Sequence, residues 1–140
     1  MGNPHMLFVN IAVNDLPKSM AFFKALGFGF NKQFTDENAA CLVLGDHNYF
    51  MLLTKPSFQR FTAKPLVDPT IACEAMYAIT VDSRAAVDAM ANQALSSGGR
   101  PGNETQDLGF MYSRSFQDPD GHIWEVLFMQ PDFVQPMEIV

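Results

Sequence analysis

Val9-Asn10-Ile11-Ala12-Val13-Asn14-Asp15 alternates aliphatic with polar or small side chains and ends on two short polar residues. Such alternation marks a strand with one covered face, and a terminal Asn or Asp suits the cap of a following helix. About 70 residues further on the pattern returns as Tyr77-Ala78-Ile79-Thr80-Val81-Asp82-Ser83. One supersecondary unit is therefore used twice, and the elements after each copy should match.

They do. Leu16 to Leu26 follows the first copy, with Met20, Phe23 and Leu26 on one stripe, and Gly27 closes it. Arg84 to Ser96 follows the second, with Val87, Met90 and Leu95 near one face, closed by Gly98-Gly99. Glycine just past the last turn is a helix stop signal. Three strands are expected after each helix: Gly29–Phe34, Ala39–Leu44 and Tyr49–Leu53, then Arg100–Thr105, Met111–Phe116 and Ile123–Met129. Polar turns precede each last strand, Gly45-Asp46-His47-Asn48 and Asp118-Pro119-Asp120-Gly121. The second has the Asp, Pro and Gly positions of a type I turn. The expected class is α+β, with two β-α-β-β-β modules at residues 7–54 and 73–130 in one compact domain. The linker, residues 55–72, is rich in proline and carries Phe58 and Phe61. Two readings stay open for it: a flap over a cleft, or a plug at the domain edge.

Composition bounds the function. The 140 residues are 48% hydrophobic and carry a net charge of -6 with no basic run. Nucleic acid and anionic membrane surfaces need clustered positive charge, so neither is an expected partner. No apolar stretch approaches the roughly 20 residues that span a bilayer. Cys41 and Cys73 lie in apolar, strand-like runs and are expected to be buried, reduced thiols of a cytoplasmic protein. Met1 to His5 stands apart from the pattern; Met6 is the expected natural start, and His5, as a cloning remnant, is left out of the site.

Each module has one helix for a two-faced sheet. Two sheets curving toward each other would cover the other faces and enclose a trough, a half-barrel of paired sheets. Alternation puts Val9, Ile11, Val13, Tyr77, Ile79 and Val81 under the helices, with Trp124, Val126 and Phe128. The trough wall is then Phe8, Asn10, Tyr49, Met51, Met76, Ile123 and Leu127, with the carboxylates of Glu74 and Glu125. Arg114 is expected on a neighbouring strand, within reach of a carboxylate. A large apolar wall with few polar groups suits a small-molecule ligand. The same residues would also suit a dimer interface or a closed core, and gap-filling is the commoner role of methionine. An acid between Trp124 and Val126 is costly unless it is paired or functional.

The stretch Val13-Asn14-Asp15-Leu16, with Ser19, Phe22-Phe23 and Leu26-Gly27-Phe28, resembles the vicinal-oxygen-chelate superfamily. So does the closing Phe116-Gln117-Asp118-Pro119-Asp120-Gly121-His122-Ile123-Trp124-Glu125. That superfamily holds glyoxalase I, extradiol dioxygenases, fosfomycin-resistance enzymes and bleomycin-binding proteins. The resemblance, from Leu7 to Met129, implies a homodimer and metal-ligand positions at Phe8, Met51, Met76 and Glu125. Phenylalanine has no donor and a thioether is soft, so no metal cofactor is expected. If a divalent metal binds, Glu125 and Glu74 are the expected ligands, with Asn10 nearby. His47 and His122 read as turn and rim residues. The leading expectation is metal-free binding of a small, cationic or hydrogen-bond-donating molecule in the trough. The alternative is a glyoxalase I-like lyase or isomerase, with Glu125 as base or metal ligand and Arg114 or Asn10 stabilising an oxyanion.

Overall fold

The computed structural model describes residues 4–140, so the first three residues of the expected cloning remnant lie outside the described residues. The chain gathers into two compact units, one up to Ala72 and one from Cys73. In the first, β1 (Leu7–Val13) leads into α1 (Leu16–Ala25), followed by β2 (Gly29–Asn31), β3 (Ala39–Val43) and β4 (Asn48–Thr54). The sheet order is β1-β4-β3-β2, with β1 parallel to β4 and the other pairs antiparallel. Asp15 caps α1 by accepting the Lys18 N–H, and Pro17 suits the first turn, which has no need of that N–H. At the other end Gly27 takes a φ of 99°. Its N–H donates to Lys24 and that of Phe28 to Phe23, the paired closure that a left-handed residue allows.

The second unit repeats this plan. β5 (Met76–Thr80) leads into α3 (Arg84–Ser96), then β6 (Arg100–Pro101), β7 (Gln106–Asp107), β8 (Met111–Gln117) and β9 (Ile123–Met129). Its order is β5-β9-β8-β6, with β7 also on β8 and β5 parallel to β9. The Ser83 hydroxyl caps α3 by accepting the Ala86 N–H. The architecture is α+β, two sheets each with a helix on one face.

Two expected strands are cut short. Gly29–Phe34 is a strand only to Asn31, whose side chain accepts the Gln33 N–H and starts a 3-10 turn over Lys32–Phe34. An asparagine offers the backbone this local alternative to the ladder. Arg100–Thr105 stops at Pro101, and the chain bulges out before rejoining β8 as β7. The linker is not wholly irregular either, since Lys55–Gln59 forms the short helix α2. Cys41 is buried, as expected, but Cys73 is exposed because it precedes β5 rather than lying in it. Burial pushes the Cys41 thiol above its ordinary pKa.

Each core lies between sheet and helix. Ile11, Val13, Phe50, Leu52 and Leu42 meet Leu16, Phe22 and Phe23 in the first unit. Phe116, Trp124 and Val126 meet Val87, Ala91 and Ala94 in the second. Alanine rather than the expected Met90 and Leu95 forms the centre of the α3 contact, which lets the helix approach the sheet closely. No helix among the described residues is long and apolar enough to cross a membrane.

The turn before β9 shows how two buried carboxylates, Asp118 and Asp120, are accommodated. The Gly121 N–H donates to the Asp118 carbonyl, and Gly121 has a φ of 100°. Asp118 Oδ1 accepts from the backbone N–H of Asp120, Gly121 and His122, while Oδ2 accepts the Trp124 indole N–H at 3.1 Å. One carboxylate thus organises the turn and anchors the largest core side chain. Burial pushes the Asp118 carboxyl above its ordinary pKa, against the pull of His122 and the indole N–H.

Candidate functional site

Strand alternation gives each sheet a helix-covered face and an opposite one. In the first unit the opposite face carries Phe8 and Asn10, paired in register with Tyr49 and Met51. The Phe8 and Tyr49 rings stack, with centroids 4.8 Å apart and planes within 16°. In the second unit that face carries Met76 and Ala78 of β5, in register with Ile123 and Glu125 of β9. Equivalent positions of the two copies therefore lie on the corresponding face, each of its own sheet: Phe8 as Met76, Tyr49 as Ile123, and Met51 as Glu125.

A cavity of about 330 Å³ opens on this face of the second unit. Its floor is sheet: Met76 and Ala78 from β5, Glu125 and Leu127 from β9, Met111 and Ser113 from β8. Its wall is the excursion after β6, which brings Asn103 and Glu104, together with Gln106 of β7. The Asn103 amide donates to Glu125 Oε1 at 2.8 Å and lies 3.3 Å from the Met76 sulfur. No hydrogen bond reaches Glu125 Oε2 from the described residues. A bidentate pair between Arg84 and Asp107 holds the far end of the excursion, and Arg84 also donates to the Gly109 carbonyl. That pair, with the Gly109 N–H, pulls the Asp107 carboxyl down to about 2.

Gly102 lets the wall sit where it does. A Cβ at this position would collide with the Ser115 hydroxyl and lie 2.9 Å from the Phe116 backbone nitrogen. Ser115 cannot easily turn aside, because its hydroxyl donates to the Trp124 carbonyl at 3.0 Å in the buried sheet. Gly102→Ala is expected to destabilise the protein by about 1–3 kcal/mol, the usual range for overpacking, and to move Asn103 off Glu125. A urea melt of the variant, with the Asn103 side-chain NH₂ resonances as a local reporter, checks both. An unchanged midpoint and unchanged resonances would show that the close approach is dispensable.

Eight of the sequence-predicted wall residues fall on the expected faces of their own sheets: Phe8, Asn10, Tyr49 and Met51 in one, Met76, Ile123, Glu125 and Leu127 in the other. Two expectations need correction. Glu74 lies outside the strand, exposed and two residues ahead of β5, so alternation does not govern it. Arg114 is opposite Val126, and so on the helix-covered face, where it donates to Asp88 and Asn92 of α3. It reaches a carboxylate, but not the one in the cavity, and oxyanion stabilisation beside Glu125 by Arg114 is ruled out by that parity. The Tyr112 hydroxyl and Arg114 hold the Asp88 carboxyl below its ordinary pKa. Asn103 and Glu104 were not legible as site residues, since the excursion has no periodicity to read, and Gln106 follows on a two-residue strand too short to show one. Met111 and Ser113 lie on the expected strand β8, where alternation alone would have placed them on this face.

The four positions implied as metal ligands do not fit a hard divalent ion. Phe8 stacks on Tyr49, and the Met76 thioether is approached by the Asn103 amide. Met51 is a second thioether, which leaves Glu125 as the one hard donor. A different group, Asp118, Asp120 and His122, brings three potential ligand atoms within 4.8 Å of one another. Its Asp-x-Asp-x-His spacing is visible in the sequence, but the Asp118 carboxylate is already committed to four N–H donors that build the turn.

The family model described as Glyoxalase/Bleomycin resistance protein/Dioxygenase superfamily matches residues 5–126. Comparison with curated protein sequences gives no match. Among solved structures, a hypothetical protein from S. aureus is similar at 29% identity and a TM-score of 0.76, over 91% of this chain and 95% of that one. A glyoxalase/bleomycin resistance protein/dioxygenase family enzyme from Burkholderia phytofirmans PsJN is similar at 15% identity and 0.74, over 90% and 99%. A glyoxalase-related enzyme from Fulvimarina pelagi gives 16% and 0.75, over 89% and 87%. At such identities the last two likenesses speak for the fold alone.

Proposed function

The chain belongs to the Glyoxalase/Bleomycin resistance protein/Dioxygenase superfamily, and from that premise we propose that it binds a small organic molecule in its second unit without a metal ion. The observation that carries this reading is the cavity of about 330 Å³, whose floor is largely thioether and aliphatic with Glu125 set into it. Ligand sites are typically concave, mostly apolar and supplied with a few placed polar groups. The fold itself leaves the activity open, so the donor set has to decide whether a metal belongs. One carboxylate among a phenyl ring and two thioethers falls short of the roughly three protein ligands of a catalytic site.

Calorimetric titration of EDTA-treated protein with nickel, zinc, manganese and ferrous ions tests this reading. The expected outcome is no tight, stoichiometric binding that depends on Glu125. Stoichiometric binding that disappears in Glu125→Ala would overturn it and bring metal-dependent chemistry to the front.

One observation favours a second reading, in which Glu125 is the general base of a lyase or isomerase. Its Oε1 is steadied by the Asn103 amide while Oε2 carries no hydrogen bond among the described residues, as a base facing substrate requires. Turnover of the methylglyoxal–glutathione hemithioacetal by the EDTA-treated protein, abolished in Glu125→Gln, would place this reading first.

A further inference from the structure

Resting on the binding reading above, we infer that the guest is a protonated amine or guanidinium with N–H donors, carried on a slender apolar body, and that Glu125 is its counter-ion. The cavity lining holds two carboxylates, Glu104 and Glu125, and no lysine, arginine or histidine. Glu125 takes part in no ion pair among the described residues; the arginine on the adjacent strand, Arg114, pairs with Asp88 on the other face of the sheet. An anionic guest would be repelled. A neutral guest would strip water from Glu125 and return only hydrogen bonds, whereas a cation compensates the charge directly.

The kind of cation follows from what else lines the cavity. Quaternary ammonium groups are recognised by aromatic cages, and no aromatic ring is among the lining residues. Acceptors are there instead. Asn103 gives its NH₂ to Glu125 and keeps its amide oxygen as a further acceptor on the cavity wall, and the Ser113 hydroxyl lies on the floor. A head group with several N–H donors uses these acceptors; a trimethylated one cannot. Behind the head, Met76, Met111 and Leu127 offer a flexible apolar lining, and thioethers adapt to a body of irregular shape. The volume, about 330 Å³, is near the small end for ligand cavities and suits a small guest.

The test uses four probes with a common phenylalkyl body: 4-phenylbutylammonium, its N,N,N-trimethyl analogue, 4-phenylbutanol and 4-phenylbutanoate. Each is titrated into the whole protein and into Glu125→Gln, by calorimetry and by the methyl resonances of Met76 and Met111. The primary ammonium is expected to bind about tenfold to a hundredfold more tightly than the alcohol, the range of one charge-assisted hydrogen bond. Glu125→Gln is expected to remove most of that difference and leave the alcohol within about twofold. The trimethyl analogue should lose most of the gain, and the carboxylate should not bind.

An alcohol bound as tightly as the ammonium would overturn the charge assignment while leaving the binding reading intact. Equal affinity of the trimethyl and primary cations would overturn the N–H donor requirement. If none of the four shifts either methionine methyl, the binding reading itself falls. Should Glu125→Gln not fold, the salt dependence of the wild-type protein gives the same decision. Ammonium binding that weakens from about 0.05 to 0.5 M salt, with alcohol binding unmoved, supports the ion pair; two flat curves reject it.

Discussion

Replacing Asp118 by alanine is expected to destabilise the protein by about 3–5 kcal/mol, the range for removing one member of a buried charged network. For a chain of this size that corresponds to a fall of roughly 10–20 °C in Tm. The carboxylate accepts three backbone N–H groups and the Trp124 indole N–H, and both residues are at most 2% exposed. Alanine removes the side-chain acceptor of the Asp120 and His122 N–H groups and of the Trp124 indole, while the Gly121 N–H keeps the Asp118 carbonyl. A buried donor without a partner costs about 1–3 kcal/mol, and water entering the gap would recover only part of that. Asp118→Asn discriminates the components. Its amide oxygen can keep the three turn N–H bonds, but the amide NH₂ then faces the indole N–H, donor against donor. A smaller loss of about 1–3 kcal/mol is expected. In a double-mutant cycle with Trp124→Phe, which removes the indole donor, the penalty of Asp118→Asn should shrink. Urea denaturation of the four proteins measures all of this. An Asp118→Ala variant within about 1 kcal/mol of the wild type would show that the turn holds without its central acceptor.

This turn also explains why the fold was readable in the sequence and the cavity was not. Asp118-Pro119-Asp120-Gly121 advertises itself through residue types that each have one backbone use, as do Gly27 and Gly98, both at positive φ just past a helix. Strand faces were readable too, because alternation is a strict period and a wrong parity would have buried Glu125 under α3. What period cannot supply is the point where a strand gives up its ladder. Asn31 ends β2 with its own side chain, and Pro101-Gly102 ends β6 by losing an N–H and then needing space that a side chain would fill. The excursion that follows carries Asn103, the partner of Glu125, and nothing in its sequence announces that partner. Arg114 was legible in principle. Ser115 is opposite Glu125 in register, and Ser113 two residues away shares its face, so the residue between them must face the helix. Glu74 failed for a simpler reason, since the strand that would have oriented it begins at Met76.

Phe22→Ala is expected to be the costliest substitution in the first unit's helix, at about 3–5 kcal/mol. Read by period alone, the buried stripe of α1 is Met20, Phe23 and Leu26. The structure turns the helix so that Leu16, Ser19, Phe22 and Phe23 are buried, with Met20 and Leu26 only half-buried. Two consecutive phenylalanines, each 1% exposed, are separated by about 100° around the helix, so the contact with the sheet must be broad. Ser19, also buried, makes it possible: a small residue one turn before Phe22 and Phe23 leaves room for both rings. They meet edge to face, with centroids 5.1 Å apart and planes at 87°. Truncating Phe22 therefore removes its transfer energy and the edge contact, and opens a cavity that rigid strands on one side cannot close. Met20→Ala, at a half-buried position, is expected to cost no more than about 1–2 kcal/mol. Chemical denaturation ranks the two variants, and amide exchange locates the loss, which should be greatest in α1, β3 and β4. Equal costs for Met20 and Phe22 would mean that the helix presents the stripe its period suggests, and that the paired rings contribute little to the core.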